Sequence, residues 1–442
     1  MSLTKRVAKK LLESLPGEGK AVKDSVRGLM VQKELAVSKL SRALSGDRLP
    51  DPCTVYWIDP FSIEHRTSLQ NGSSDSEDWV FKQHSAPKPV QAGDWDESSL
   101  LVSDLRVCRA VADRIKHGTE WQQSDYYKTA LAEIEGGRVL WDCRRKADFD
   151  KRMDGLDRLI ESIQQNGYTL RANGAAGSVS DTPLGHTEVL VNLGRSGAPL
   201  FQDGRHRLAI ARALELKPIP VQVLVRHTAW QEFREFMHRM AAGNGGASKP
   251  GFLYQKPPHF DFADIPAEHG CTDRWEAMAS HLPAGGGLAL DIGANLGYFS
   301  HALDRAGFQT TAVEYYPEIA LAAERLALAE KRSLRVVHGD ILSPAIFEKI
   351  GSNRFSLVLA VNIFHHFIKT EAGFNKLRAF VQRLRSDVMF FEPHHPADPQ
   401  MHTGFANPTP EEFTRMIVEW GGFKRHTSIY TAADGRTIFK LD

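Results

Sequence analysis

GLALDIGANLGYFSHAL, residues 287–303, is typical of an apolar strand, a glycine-rich turn and a helix that follows at once. Within it, Asp291, Gly293 and Gly297 form the pattern D-x-G-x-x-x-G. Glycine lets the backbone approach a bound molecule closely, and a carboxylate at a strand end can bind an amine or a hydroxyl. The stretch therefore predicts an open α/β sheet whose first turn holds a ligand.

Two later apolar stretches place acids at the same end of the predicted sheet. TTAVEYYP ends a second strand with Glu314, where a carboxylate is positioned to bind both hydroxyls of a ribose. LRVVHGD ends a third strand with Asp340, and this side chain and the following Ile341 are expected to flank an adenine. Ligands of open α/β sheets bind beyond the carboxyl ends of the strands, which makes these residues candidates for one nucleoside site.

Two further strands end in polar side chains that are candidates for the acceptor side of the site. FSLVLAVNIFHHF is a fourth apolar strand, and VMFFE is a fifth. An oxygen nucleophile gains from a neighbouring base, whereas a phosphate or a carboxylate is already ionised. A histidine that acts as base and a set that only shapes the pocket both remain open, with His365, His366 and Glu392 as the catalytic candidates. The polar groups at these strand ends are Asn362, His365, His366, Glu392, His394 and His395.

Together these motifs resemble those of class I S-adenosylmethionine-dependent methyltransferases, over about residues 258–442. The glycine turn and the later acid match that family rather than the G-x-G-x-x-G of dehydrogenases. The resemblance implies a doubly wound, Rossmann-like sheet of seven strands and S-adenosyl-L-methionine as methyl donor. The residues that it implies around the donor are Asp291, Gly293, Asn295, Gly297, Glu314, Asp340, Ile341 and Asn362.

Other motifs of this half bear on the methyl acceptor. It has no N-P-P-Y or D-P-P-Y of amino-group methylation and no Pro-Cys nucleophile of cytosine methylation. VNIFHHF followed by FFEPHHP is similar to methyltransferases that act on small molecules and cell-surface glycans, including glycan chain-terminating ones. We therefore expect the acceptor to be an oxygen of a small molecule, a glycan or a phosphate group.

LFQDGRHRLAIARALELKPIPVQVLVRH, residues 200–227, is a second strand-turn-helix pattern. The start of a helix presents free N–H groups and a positive dipole end, and cationic side chains add donors for phosphate. The turn is therefore a candidate phosphate or nucleotide site, in which Asp203 could hold Mg²⁺ between phosphates. Its residues are Asp203, Gly204, Arg205, His206 and Arg207.

DGRHRLAIARAL and the strands around it resemble the ParB/sulfiredoxin-like superfamily, with a coverage of roughly residues 50–230. Members include CTP-binding partition proteins, an ATP-using sulfinic acid reductase and small-molecule kinases. The resemblance implies an α+β domain that binds ATP or CTP with Mg²⁺, with Asp203 as a catalytic candidate for phosphoryl transfer. The reductase cysteine is missing from the turn, which disfavours reductase activity. An aspartate cap whose arginines pair with acids such as Glu215 remains the structural alternative.

The amino-acid composition limits the classes of protein to which this chain could belong. The chain has 442 residues, of which 42% are apolar and 25% charged, and its net charge is +1, so nucleic acid is a disfavoured partner. Its four cysteines form no C-x-x-C pair, and no apolar run has the length of a membrane span or of a signal-peptide core. We expect a cytoplasmic protein, with peripheral contact at the inner face of the membrane as an option.

The chain is predicted to fold as two domains behind a helical arm. Residues 1–46 carry ten Lys and Arg against four Asp and Glu, which suits packing on the protein itself or a partner subunit, contact with anionic lipid, or disorder. AAGNGGASKPG is the best linker composition in the sequence. The predicted boundaries are an arm over 1–49, a ParB/sulfiredoxin-like domain over 50–240, a linker over 241–257 and a methyltransferase over 258–442.

The sequence favours a methyltransferase coupled to a nucleotide-binding domain that also has possible kinase activity. A coherent form of this hypothesis is that the first domain phosphorylates an acceptor such as a glycan end and the second methylates the product. Two alternatives remain. The first domain and the arm could bind a nucleic-acid substrate, or the first domain could sense a nucleotide and control the methyltransferase.

Overall fold

The computed structural model of the protein divides into two compact units, residues 1–235 and 236–442. The predicted arm over 1–49 lies outside the described residues except for its last two positions, so its membrane or oligomer contact stays a prediction. The residues that the structure describes are 48–67, 88–141, 143–170, 188–243, 246–395 and 397–442.

A mixed five-stranded sheet forms the centre of the first unit. Its central strand β5 pairs in parallel with β2 and β3 and antiparallel with β1, while β4 runs antiparallel to β3 at the edge. All nine residues of β5 are buried, which agrees with the apolar side chains of IPVQVLVRH, although Gln222, Arg226 and His227 are buried as well. The strands are β1 (Val55–Ile58), β2 (Val90–Gln91), β3 (Val189–Leu193), β4 (Pro199–Asp203) and β5 (Ile219–His227).

Helices complete the first unit, and α1 packs against α4. Five apolar side chains of α3 are buried, Phe149, Met153, Leu156, Ile160 and Ile163. An α+β arrangement is therefore present, whereas likeness to the ParB/sulfiredoxin-like superfamily stays a prediction. The helices are α1 (Arg106–His117), α2 (Asp125–Glu135), α3 (Lys146–Asn166), α4 (Arg205–Ala213) and the start of α5 (Thr228–Ala242).

The second unit is built on a seven-stranded sheet, as the sequence predicts. Its strand order is β10-β9-β8-β11-β12-β14-β13, parallel except for β14, which is antiparallel to both of its neighbours. From β8 the chain proceeds to β9 and β10 on one side and to β11 and β12 on the other. The strands are β8 (Gly287–Ile292), β9 (Phe308–Glu314), β10 (Arg335–His338), β11 (Arg354–Val361), β12 (Arg385–Glu392), β13 (His426–Thr431) and β14 (Thr437–Leu441).

This strand order positions a ligand site. A crevice opens at the carboxyl ends of parallel strands where the order reverses, here between β8 and β11. Helices alternate with the strands, and apolar side chains from both layers form the core, among them Leu290, Val358 and Phe391. The helices are α6 (Thr272–Ala279), α7 (Tyr298–Arg305), α8 (Pro317–Ala329), α9 (Ile346–Ile350), α10 (Glu371–Arg383) and α11 (Pro410–Gly421).

The segment expected as a linker, 241–257, belongs to the second unit. The division after residue 235 falls inside α5, and the short strand β6 (Leu253–Gln255) pairs in parallel with β7 (Ala267–His269). Glycine-rich composition around residue 246 predicts turns correctly, but it does not reveal that the apolar FLYQ which follows enters a sheet. Among the described helices, none is both long and apolar enough to cross a bilayer.

Gly197 is the tightest turn position of the first unit. It has a φ of +90°, and a Cβ at this position would overlap the buried ring of Trp230. We expect Gly197→Ala to lower the free energy of unfolding by about 2–4 kcal/mol, because left-handed strain and overpacking add. Gly118→Ala is the matched control, since Gly118 has a φ of +67° with no atom within 4 Å of a built Cβ. Calorimetry of the full chain should show the larger loss for Gly197→Ala, and equal losses would contradict the packing argument.

His301 on α7 makes the second unit sensitive to acid. The side chain is fully buried, and neither ring nitrogen has a hydrogen-bond partner among the residues that the structure describes. Burial, followed by the nearby charges of Arg305 and Arg332, lowers the pKa of His301 to about 3. The neutral form therefore contributes stability above pH 6.5, and this contribution is lost as the pH falls from 6.5 towards 3.

We expect His301→Leu to remove this loss. Relative to the wild type, the variant should gain about 2 kcal/mol of unfolding free energy between pH 7 and pH 5. Thermal midpoints of both proteins at the two pH values measure the difference, with the exposed His402→Leu as control. The same acid sensitivity in wild type and His301→Leu would show that another group is responsible.

Candidate functional site

The glycine turn after β8 has the backbone shape that the sequence predicts. Gly293, Asn295 and Gly297 have φ values of +70°, +52° and +82°. A Cβ on Gly293 would come within 2.7 Å of the Ile363 side chain, so only glycine fits there. Gly297 begins α7 as its N-cap residue, and the turn thus leads directly from the strand into the helix.

Glu314 at the end of β9 is held against this turn by two backbone hydrogen bonds. The N–H of Asn295 donates to Glu314 Oε2 at 2.9 Å, and the N–H of Tyr316 donates to Oε1 at 3.0 Å. The carboxylate is nearly buried and lines a cavity at the strand ends. Each of its oxygens keeps further acceptor capacity, which is what recognition of a diol requires.

Asp291 lies deeper in the same turn. Its carboxylate accepts a hydrogen bond from Ser300 Oγ at 2.6 Å. Burial, with a smaller contribution from the negative charge of Glu314, raises the pKa of Asp291 to about 6. Burial of an ionised carboxylate without a counter-charge costs free energy. A cationic ligand beside Asp291 would therefore be stabilised.

The third predicted strand end also reaches the cavity. Asp340 and Ile341 both line it, and the Asp340 carboxylate accepts from the N–H of Leu342 at 2.9 Å. Gly339 N–H donates to the main-chain oxygen of Glu314 at 2.9 Å, which ties the end of β10 to the end of β9. An acid and an apolar side chain are thus adjacent at this strand end, and their role in flanking an adenine stays a prediction.

Asn362 and two histidines form the wall that follows β11. Asn362 has a φ of +52°, and its Nδ2 donates to the hydroxyl of Tyr254 at 2.9 Å. The ring of His365 is buried, and its centroid lies 4.0 Å from that of His366 and 5.8 Å from that of His394. His394 Nε2 is in turn hydrogen-bonded to Asn407 Oδ1 at 2.9 Å.

Glu392 ends β12 in a buried ion pair. Arg274 Nε donates to its Oε1 at 2.7 Å, while another arm of the same guanidinium lies 3.1 Å from Asp434. Arg436 also pairs with Asp434, at 2.6 Å. Burial raises the pKa of Glu392, and the charges of Arg274 and Arg436 oppose that rise. Glu392 is therefore the ion-pair partner of a guanidinium. One of the two carboxylate oxygens that could act as a base already accepts a hydrogen bond from Arg274.

These side chains share one cavity of about 1830 Å³ within the second unit. Gly297 and His394 do not line it, whereas His395 does. The candidates that it brings together are Asp291, Gly293, Asn295, Glu314, Asp340, Ile341, Asn362, His365, His366 and Glu392.

Several lining residues are missed by the sequence analysis. Tyr254 and Gln255 come from β6, Arg274 from α6, and Arg436 from the turn before β14. Tyr254, Gln255 and Arg274 do not follow a strand of the seven-stranded sheet, and Arg436 lies in the turn that links β13 to β14. The rule that finds ligands at the ends of β8 to β12 therefore does not reach them. The one available signal is FLYQ, a short apolar stretch between two turn-rich segments.

In the first unit, the turn between β4 and α4 is also built as expected, but its side chains point to internal partners. Gly204 has a φ of +90° and caps α4. His206 Nε2 is hydrogen-bonded to the Tyr126 hydroxyl at 3.0 Å, and burial lowers the pKa of His206 to about 3. Arg207 pairs with the buried Glu188 at 3.0 Å rather than with a more distant acid such as Glu215.

The remaining two residues of this turn differ in their surroundings. The guanidinium of Arg205 lies 5.8 Å from the ring centroid of Trp141. Asp203 Oδ1 accepts from the N–H of Gly204 at 2.6 Å, and burial raises the pKa of Asp203 to about 6. Across the described ranges, no group of three or more His, Cys, Asp or Glu side chains is arranged to hold a metal ion. The predicted Mg²⁺ site at Asp203 thus stays a prediction.

Comparison with known proteins finds a family match for part of the second unit. Residues 290–386 match the family described as "Methyltransferase domain". No match to the chain is found among curated proteins.

Solved structures give low similarity. The bifunctional kinase-methyltransferase WbdD is 19% identical over 45% of this chain and 45% of that chain, with a TM-score of 0.36, so the alignment spans less than half of WbdD. The N-terminal domain of EvdMO1, crystallised in the presence of SAH and D-fucose, is 16% identical over 47% of this chain and 96% of that chain, with a TM-score of 0.34. The PH0226 protein from Pyrococcus horikoshii OT3 is 13% identical over 38% and 86%, with a TM-score of 0.29.

All three scores are below 0.5, so these likenesses carry no conclusion about activity. The family match covers the glycine turn, Glu314 and the strands up to β11. The second unit therefore contains a methyltransferase domain, and such a domain implies S-adenosyl-L-methionine as its cofactor.

Proposed function

We propose that the second unit transfers the methyl group of S-adenosyl-L-methionine to an oxygen of a small molecule, a glycan or a phosphate group. The observation that carries the proposal is Glu314, which two backbone N–H groups hold at the end of β9 beside the glycine turn. A fixed carboxylate at this place suits the two hydroxyls of a ribose.

The chain's residues fit the donor in other respects. Asn295 Oδ1 lines the cavity, is buried and has no hydrogen-bond partner within the described part of the chain, so an amine or a hydroxyl of the donor would satisfy it. Asp291 would face the methionine part, and Asp340 and Ile341 would flank the adenine. When bound, the donor supplies a methyl carbon on a positively charged sulfur.

Transfer of that methyl group requires little covalent chemistry from the protein. The acceptor oxygen must lie in line with the methyl carbon and the sulfur, and water must be excluded from the line. Asn362, which Tyr254 fixes through a hydrogen bond, lines the cavity beside the histidine wall and would help to orient the acceptor. His365 and His366 are the candidates for a base that receives the acceptor's proton.

Removal of the Glu314 charge should weaken donor binding. We expect Glu314→Gln to raise the Kd for S-adenosyl-L-methionine by at least about 10-fold, because charge-assisted hydrogen bonds are lost and the new amide group opposes the N–H groups of Asn295 and Tyr316. Isothermal titration calorimetry with the full chain measures it. Glu324→Gln, on the exposed face of α8, is the control, and an unchanged Kd for Glu314→Gln would overturn the proposed donor site.

For the first unit, we propose a phosphate or nucleotide site at the turn before α4, with phosphoryl transfer as its stronger form. Support comes from the left-handed Gly204 at the helix start, from Arg205 and from the half-buried Asp203, whose pKa is raised. His206 and Arg207 contribute less than their sequence suggests, because Tyr126 and Glu188 engage them. In the coupled hypothesis, the first unit phosphorylates an acceptor such as a glycan end and the second methylates the product.

Ligand-dependent unfolding tests this site directly. We expect ATP or CTP with Mg²⁺, at about 100 times its Kd, to stabilise the native chain by about 2.7 kcal/mol, and Arg205→Ala to abolish the shift. Arg144→Ala, an exposed arginine in the same unit, serves as control. Labelled ATP with a glycan acceptor separates turnover from sensing, since transfer must disappear in Asp203→Ala. A chain that no nucleotide stabilises would leave the turn as an aspartate-capped helix start.

Nucleic-acid methylation is the competing class of function. It predicts binding of RNA or DNA that weakens steeply as salt rises, because phosphate contacts release counterions. A net charge of +1 supplies no general attraction for such a partner. Binding assays in 50 mM and 200 mM salt would distinguish the two classes.

A further inference from the structure

The acceptor side of the cavity contains a buried imidazole with an unused nitrogen. His365 is 3% exposed and lines the cavity, and its Nδ1 has no hydrogen-bond partner among the described residues. Leaving such an atom unpaired costs about 1–3 kcal/mol, so a ligand that donates a hydrogen bond here would gain that free energy. His365 Nδ1 is thus ready to accept a hydrogen bond from a bound molecule.

The surroundings of His365 keep its ring neutral. Burial is the main cause that lowers the pKa of His365 to about 2, and positive charge on His366, His394, Lys369 and Arg436 acts in the same direction. A neutral imidazole has one donor and one acceptor nitrogen. With Nδ1 as acceptor, it can receive a proton throughout the physiological pH range.

The guanidiniums next to His365 do not favour an anionic acceptor, and the nearby Lys369 ammonium donates to Gln400 Oε1 at 3.0 Å. Both nearby guanidiniums are paired with carboxylates, Arg274 with Glu392 and Asp434, and Arg436 with Asp434. A phosphate or a carboxylate that bound Arg274 would have to displace the buried Glu392, which leaves a charge uncompensated. It would also have no use for a base, because it is already ionised.

The size and the rim of the cavity bear on the acceptor as well. A volume of about 1830 Å³ exceeds the roughly 300–1,000 Å³ of an ordinary ligand pocket, which leaves room for an acceptor beside the donor. Thr370, Gln400 and Asp398 line it and offer hydroxyl, amide and carboxylate groups. Groups of this kind suit hydrogen bonds to an uncharged polyhydroxylated molecule.

We infer that the acceptor of the proposed methyl transfer is a hydroxyl of an uncharged polyol or glycoside, and that His365 Nδ1 takes its proton. This inference rests on the proposed methyltransferase function, and it excludes the coupled hypothesis in which the second unit methylates a phosphorylated product. The acceptor's O–CH₃ bond forms as the CH₃–S⁺ bond breaks, and the electron pair of that bond stays on sulfur, which becomes a neutral thioether. The hydroxyl proton passes to His365 Nδ1 and leaves an imidazolium.

A weakly basic imidazole is sufficient for this step. As the O–CH₃ bond forms, the hydroxyl becomes a protonated ether, which is a far stronger acid than an imidazolium. The proton therefore transfers late, when the driving force is largest. The ring of His366 is exposed and its centroid lies 4.0 Å from that of His365, so a titratable group in contact with solvent adjoins the assigned proton acceptor.

The test uses the full chain and separates the two levels of the hypothesis. Calorimetry first measures binding of S-adenosyl-L-methionine without acceptor, and a failure there would overturn the proposed function itself. The chain is then incubated with methyl-labelled donor and either a set of uncharged methyl glycosides and polyols or a set of sugar phosphates, inorganic phosphate and carboxylates. We expect label in the first set, as alkali-stable methyl ethers. Label in the anionic set alone, or in neither set, would overturn the inference.

Variants of His365 test its role in the same reaction. We expect His365→Gln and His365→Ala to lower kcat by about 10²–10⁴-fold with the Kd for the donor unchanged, because proton transfer and not donor binding is lost. Added imidazole should restore part of the activity of His365→Ala but not of His365→Gln, whose side chain fills the space. His402→Gln, exposed and outside the cavity, is the control. Full activity in both His365 variants would exclude the assigned proton acceptor.

Discussion

Two backbone hydrogen bonds to one carboxylate hold the candidate site together. Glu314 at the end of β9 accepts from Asn295 in the glycine turn and from Tyr316 in its own loop. The turn is further tied to β9, because the N–H groups of Gly293 and Ala294 both donate to Val313 O, at 2.9 and 3.1 Å. These bonds require the left-handed backbone at positions 293 and 295, so the shape of the donor site follows from the residues that permit that conformation.

Around these hydrogen bonds, burial determines the ionisation state of the polar groups. It raises the pKa of Asp291 and of Glu392 and lowers that of His365, in each case because the charged form loses its hydration. The carboxylates near the glycine turn suit a positively charged donor, while the neutral imidazole suits an uncharged hydroxyl. Arg274 compensates the charge of Glu392 in a buried ion pair. The cavity thus has separate environments for a cation and for a proton donor.

The sequence predicts the part of the site that follows from strand periodicity. Asp291, Glu314 and Asp340 each stand where an apolar strand ends, and the carboxyl ends of parallel strands meet at one edge of the sheet. Arg274 and Tyr254 are different, because each acts through a partner more than a hundred residues away, Glu392 and Asn362. No local pattern encodes such pairings. The same holds for the expected linker, whose FLYQ becomes a strand only because Ala267–His269 lies beside it.

Gly204 and Gly297, two of the described turn glycines, show why backbone shape alone does not define a site. Gly204 and Gly297 have φ values of +90° and +82°, and each is the N-cap of a helix that follows a buried strand. After Gly204, His206 is hydrogen-bonded to Tyr126, and Arg207 forms an ion pair with Glu188 of the same unit. Beside Gly297, the polar groups of the turn face a cavity, and Asn295 Oδ1 finds no partner within the described residues. A turn binds a ligand through the groups that the surrounding fold leaves unsatisfied, and by this criterion the second turn is the stronger candidate.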